Sequence, residues 1–304
     1  MKKFNLLMAI VLLGLSSKAQ EDSTIARSSA DTTQPGKNDT IRVGNILIIK
    51  RNKPNSDNDG FETNITMGRS KKRKSDSKVT TNWGVLDFGF SNYNDQTDYV
   101  SANAGSYLVN KPGSPDFAKG DFTLRTSKSI NINIWFFMQR LSLVKNYVNL
   151  KYGLGLELNN YRYKAPLSYK ENGFIPYSSG LQTNNAFIFR DSIAFSKNKL
   201  AADYLTVPFM INFASHPGYS KKGISISAGV SAGYLYSQRN KQKSDQRGKE
   251  KNKGEYDLEK FKLAYVGELG LGPVRLYGSY TPKSIYENSL DIRPFTVGFR
   301  FSNL

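Results

Sequence analysis

Residues Tyr147–Tyr163 read YVNLKYGLGLELNNYRY. Every even position from Val148 to Leu158 is apolar or aromatic, and the odd positions between them are Asn149, Lys151, Gly153, Gly155, Glu157 and Asn159. Strand side chains alternate faces with period two, so this is a strand with one apolar face and one polar or empty face. A soluble sheet would pack the apolar face on a core. The pattern recurs over two thirds of the chain, with no amphipathic helix or second sheet to supply that core. The simplest arrangement covers the apolar face with lipid and closes the sheet on itself.

From Trp83 onward eight segments alternate in this way. The first sets Leu86, Phe88 and Phe90 against Asp87, Gly89 and Ser91, and the second places Ile130, Ile132, Ile134, Phe136 and Met138 on the lipid side. The fourth carries Leu205, Val207, Phe209, Ile211 and Phe213; the last sets Phe295, Val297, Phe299 and Phe301 against Thr296, Gly298, Arg300 and Ser302. Connections are short at Lys145-Asn146, at His216-Pro217-Gly218 and at Gly272-Pro273, and long over 93–125, 164–199 and 238–256. Outer-membrane barrels keep short turns in the periplasm and long loops outside. The expected fold is all-β, an eight-stranded antiparallel transmembrane β-barrel over 82–304, with both termini periplasmic.

Ahead of it, residues 1–19 resemble a secretory signal peptide. Lys2 and Lys3 start it, Leu6 to Leu15 form a short apolar core, and Ser17-Lys18-Ala19 is a small-residue cleavage pattern. Residues 20–81 read as a disordered periplasmic linker, with a short hairpin over 40–50 turning at Gly44-Asn45. This extension is also the place for a periplasmic or outer-membrane protein partner. A basic cluster, Arg69 to Lys74, precedes the first barrel strand.

No run of about 18 apolar residues follows the leader, which argues against a helical membrane protein. The chain has no cysteine, so disulfides, thiol catalysis and cysteine zinc sites are excluded, and its one histidine, His216, is thin material for metal binding. No cofactor or metal site is expected. The net charge of +18 would suit nucleic acid, but an exported chain meets none. Anionic lipid and lipopolysaccharide suit it better.

The segment Tyr204-Leu205-Thr206-Val207-Pro208-Phe209-Met210-Ile211 resembles the PorT-like outer-membrane β-barrel family, in which a tyrosine-aliphatic-x-aliphatic-proline strand occurs at this place. The closing FTVGFRFSNL is similar to the C-terminal strand read by the barrel-assembly machinery, although it ends on Leu304 and not on an aromatic residue. The resemblance covers about 82–304. It implies a small barrel in a Gram-negative outer membrane, in a functionally heterogeneous family.

The polar faces carry charge of both signs: Asp87, Glu157 and Glu268 against Lys151, Lys262, Arg275 and Arg300. An eight-stranded barrel is just wide enough for side chains to fill it, and buried charges must pair. These residues are therefore expected to form a lumen charge network that plugs the barrel. The loop Ser237–Tyr256, SQRNKQKSDQRGKEKNKGEY, has no aliphatic or aromatic residue before Tyr256 and reads as mobile, either a solvated cap that keeps the barrel mouth hydrophilic or a surface whose Lys249, Lys251 and Lys253 contact lipopolysaccharide phosphates. No G-x-S-x-G or H-E-x-x-H spacing occurs, so no catalytic residue is assigned. The expected role is structural or interaction-based in the cell envelope. The alternatives are a subunit of a secretion or transport assembly, and a lipid-modifying enzyme. In such a barrel Leu154→Arg should impair insertion and Gly155→Ser should be mild.

Overall fold

The computed structural model describes three strands within residues 39–67, then residues 78–216 and 223–301. The chain divides into two units, 1–75 and 76–304. The leader at 1–19 and the basic cluster at 69–74 lie outside the described residues.

In the first unit β1 (Asp39–Val43) pairs antiparallel with β2 (Ile46–Asn52), Val43 opposite Ile46. β2 pairs in turn with β3 (Phe61–Met67). The sequence reading places only linker after the 40–50 hairpin; at Phe61–Met67 this is corrected to a third strand, and 20–38, 53–60 and 68–77 lie outside the described residues. The stretch FETNITM, taken as linker, alternates Phe61, Thr63, Ile65 and Met67 with Glu62, Asn64 and Thr66, a pattern that fits a strand.

The second unit begins with β4 (Val79–Asp95), followed by a short helix, α1 (Tyr99–Ala104), and β5 (Leu108–Val109). The long strands β6 (Ile130–Val144) and β7 (Val148–Arg162) form a hairpin. Four short strands come next: β8 (Leu167–Lys170), β9 (Gly173–Phe174), β10 (Gln182–Thr183) and β11 (Phe187–Arg190). The chain ends on β12 (Lys197–Ala214), β13 (Ile224–Ser244), β14 (Gly248–Lys253), β15 (Phe261–Leu271), β16 (Val274–Tyr280) and β17 (Ile292–Phe301).

The main sheet runs β12-β7-β6-β4-β17-β16-β15-β13-β14, and β12 pairs as well with β13. Seven of its nine strands therefore each have two hydrogen-bonded neighbours, β13 has three (β12, β14 and β15) and β14 has one, and all these pairings are antiparallel. Eight is too low as a strand count for this chain: the described residues hold seventeen. Apolar alternation cannot reveal the two-residue strands inside the loops, nor β14, which is GKEKNK.

Along β7 odd positions are buried and even positions half-exposed, without a break. The outward face of the ring exposes large apolar residues, among them Phe88, Leu205, Phe209, Leu263 and Phe299. Its inward face buries Asp87, Asn131, Lys151, Glu157, Glu268 and Arg300. Met138 departs from the alternation. It is buried, not lipid-facing, because the register shifts between Trp135 and Phe137 and turns the next residues over. Opposite that bulge β4 has Gly84 at φ 67, a left-handed position that suits glycine.

At one end the links are tight. Lys145 and Asn146 both take positive φ, the backbone of a primed hairpin turn, and Gly272 (φ 58) with Pro273 joins β15 to β16. The other end carries the long connections.

Candidate functional site

The interior of the ring holds a two-level ion-pair network. Arg300 on β17 faces its cross-strand partner Asp87 on β4, and its Nε and Nη2 donate to the two carboxylate oxygens at 2.7 and 2.8 Å. Its third nitrogen, Nη1, donates to Glu268 of β15 at 2.8 Å. Glu268 also accepts from Lys151 of β7 at 2.9 Å and from Arg275 of β16 at 3.3 Å. Asp87 is completed by the Trp135 indole N–H at 2.7 Å and by Asn133 at 3.2 Å. At the second level Lys262 of β15 pairs with Glu157 of β7, which also accepts from Asn159 at 3.0 Å. Asn131 connects onward, donating to Asn159 at 2.9 Å and accepting from the Tyr277 hydroxyl at 2.5 Å.

All seven charged residues singled out from the sequence thus meet in the interior, five around Glu268 and Asp87 and two at Glu157. Burial explains the density of bonds. A charge removed from water is tolerable only with its partners in place, and each carboxylate here has at least two donors. Voids beside the network measure about 20 and 30 Å³, room for about one water molecule each.

Above the network the long connections build an aromatic core that sequence reading missed. Phe117, Phe122, Tyr163, Tyr169, Tyr256 and Tyr286 are buried together, drawn from four different connections. Tyr169 links hydroxyl to hydroxyl with Tyr163 at 2.7 Å and with Tyr286 at 3.0 Å, and Tyr107 donates to the Tyr256 carbonyl at 2.7 Å. Arg190 clamps the first long connection, holding Asp121 through two nitrogens at 2.7 and 2.8 Å and lying 4.2 Å from the centre of the Phe117 ring. Partial burial pushes the Asp121 carboxyl up, but the Arg190 hydrogen bond and charge and the Ala118 N–H outweigh this and lower it. The available signal was composition: such connections have little need of so many tyrosines and phenylalanines if solvent surrounds them.

Lys249, Lys251 and Lys253 lie apart from the interior, exposed on β14. The mobile loop expected there is instead a strand hairpin, with β13 extending to Ser244 and β14 returning along it. Its underside explains the order. Asn240, Gln242 and Ser244 are buried, and Gln242 donates to the Ser168 hydroxyl at 2.7 Å and the Leu167 carbonyl at 3.1 Å. Arg247, at the hairpin turn, holds Asp191 at 2.8 Å. His216 sits exposed in the link after β12, its Nδ1 3.0 Å from the Ser215 hydroxyl. Among the described residues no group of three or more acidic or histidine side chains is placed to hold a metal ion.

A family model described as outer membrane protein beta-barrel domain matches residues 58–302. No curated protein matches the chain.

Proposed function

Because the chain belongs to the outer membrane protein β-barrel domain family, we propose that its ring of eight strands is a closed transmembrane barrel with a sealed lumen, and that its role in the envelope is structural or interaction-based, without catalysis. The observation that carries this reading is the pair of ionic bridges between β7 and β15, Lys151–Glu268 and Glu157–Lys262, under an aromatic cap. A conducting pore of this width would need mobile, hydrated charges, whereas these are buried and multiply bonded. The exposed apolar band supports lipid on the outside. The tight turns at one end and long connections at the other support a periplasmic position for both termini, with residues 1–19 as the export leader. The Tyr204–Ile211 strand supports a place among the PorT-like barrels.

Release of small sugars from vesicles containing the purified full chain tests this. Sealed vesicles agree with the reading; rapid release at a rate proportional to protein overturns it.

A second reading, a subunit of a secretion or transport assembly, is favoured by the three-stranded sheet β1-β2-β3 ahead of the barrel. Crosslinking in intact envelopes, with and without residues 20–75, separates the two. Partners lost on truncation favour assembly.

A further inference from the structure

The long-connection end carries a second charged surface, and this one has almost no counter-charge. Strand register puts Arg162, Lys199, Lys241 and Lys251 side by side on four consecutive strands. The neighbouring rung toward the hairpin tip is Lys197, Lys243 and Lys249. On the rung toward the barrel, Ala201 stands beside Arg239 and Lys253. Residues directly opposite across strands share a face, so these nine cations form one array. Asp203, paired with Arg239, is the one carboxylate that engages it among the described residues. Lys197, Lys241, Lys243, Lys249, Lys251 and Lys253 have no ion-pair partner there.

Like charges directly opposite one another destabilise a sheet. Burial, and then the charges of Lys197, Lys241, Arg239 and Arg162, lower the Lys199 ammonium to about 8. Lysine on an edge strand has an ordinary use, which is to prevent further strand pairing. That accounts for β14 but not for Arg162, Lys197, Lys199 or Lys241, whose strands are paired on both sides.

The array continues the outward face of the barrel. Moving down β12, Lys197 and Lys199 give way through Ala201 and Asp203 to exposed Leu205, Val207 and Phe209. Exposed Tyr234, Tyr236 and Phe261 lie at the boundary. At about 3.3 Å per residue along tilted strands, the Lys199 rung stands roughly 15 Å above Leu205. Flexible lysine side chains extend downward from there.

We propose that this four-strand face is a docking surface for the phosphate groups of a phosphorylated glycolipid in the outer leaflet, such as lipid A with its attached sugars. The inference rests on the reading of the ring as an outer-membrane barrel with its long connections outside. Charge complementarity selects phosphate, and continuity with the lipid-covered face selects a lipid as its carrier.

The test uses the full chain in phosphatidylcholine nanodiscs, titrated with bisphosphorylated lipid A or with its dephosphorylated form. Wild type should bind the phosphorylated form more tightly, with the difference shrinking as salt rises. A variant carrying Lys197→Gln, Lys199→Gln, Lys241→Gln and Lys251→Gln should lose at least about tenfold in affinity for that form alone. A control removing equal charge elsewhere, by Lys111→Gln, Lys128→Gln, Lys164→Gln and Lys170→Gln, should stay near wild type. Wild-type affinity in the first variant, equal loss in the control, or equal binding of dephosphorylated lipid overturns the inference and leaves the barrel reading standing. Failure of the wild-type chain to insert as a β-structured, heat-modifiable species overturns the barrel reading and the inference with it.

Discussion

Lys151 and Glu268 meet at 2.9 Å although their strands are not neighbours: β12 and β13 stand between β7 and β15 on the shorter way round the ring. Six residues away on the same two strands, Glu157 and Lys262 repeat the bridge with the charges exchanged. Two ties across one interior set a fixed spacing between opposite walls.

Breaking the second tie on one side should be costly. Glu157→Gln leaves the buried Lys262 ammonium without its carboxylate, and a buried pair broken on one side costs about 3–5 kcal/mol. The double change Glu157→Leu with Lys262→Met should recover most of that loss. Urea unfolding from lipid bilayers measures both. A single variant as stable as wild type contradicts the tie.

Position 155 separates interior from exterior more sharply than the alternation alone suggests. A side-chain carbon at Gly155 would lie 2.6 Å from the Ile134 carbonyl oxygen and 2.7 Å from the Trp135 ring, so Gly155→Ser should disrupt assembly and is not the mild change expected from sequence. Gly267→Ser meets nothing closer than 3.8 Å and should be tolerated. Leu154→Arg places a charge in lipid at a cost of about 2–4 kcal/mol. Folding yield into vesicles ranks the three. Equal yields for the two glycine variants would contradict the packing at Trp135.

Orientation is tested by labelling whole cells with an impermeant thiol reagent. Gln246→Cys, in the exposed turn between β13 and β14, should label, and Asn146→Cys, in the tight β6–β7 turn, should not. The reverse pattern inverts the barrel.

Lys199 carries a pH signature. Its folded-state value, about 8, lies below the ordinary 10.5, so the folded chain disfavours its protonation. That penalty is complete below pH 8 and disappears as pH rises toward 10.5. Lys199→Met should therefore raise stability at neutral pH, with the gain vanishing in alkali. Near pH 8 the Lys199 amine should acylate faster than that of exposed Lys111, and bound phosphorylated glycolipid should slow it by stabilising the ammonium. Reactivity equal to that of Lys111 contradicts the crowding.

The legible part of the fold was its faces. A period of two sorts β7 correctly at every residue, because nothing interrupts that strand. Met138 was misplaced because a bulge has no periodicity of its own. Which lumen cation meets which carboxylate depends on register summed over several strands, and no local pattern encodes it. The aromatic cap draws Phe122, Tyr169, Tyr256 and Tyr286 from four connections at irregular spacing, so no window of sequence contains it. The hairpin at Ser237–Tyr256 resembles a solvated charge run because its order comes from backbone pairing and from Asn240 and Gln242 beneath it.

The central claim is that one side of the main sheet meets lipid and the other a sealed polar interior. The chain's two tryptophans report on both sides: Trp83 is 75% exposed on the apolar face, and Trp135 is 4% exposed within the network. Fluorescence quenching by acyl-chain-brominated lipids, measured on single-tryptophan variants Trp135→Phe and Trp83→Phe in vesicles, tests it directly. Strong quenching of Trp83 with Trp135 protected is the predicted result. Equal quenching of both, or quenching of Trp135 alone, would contradict it.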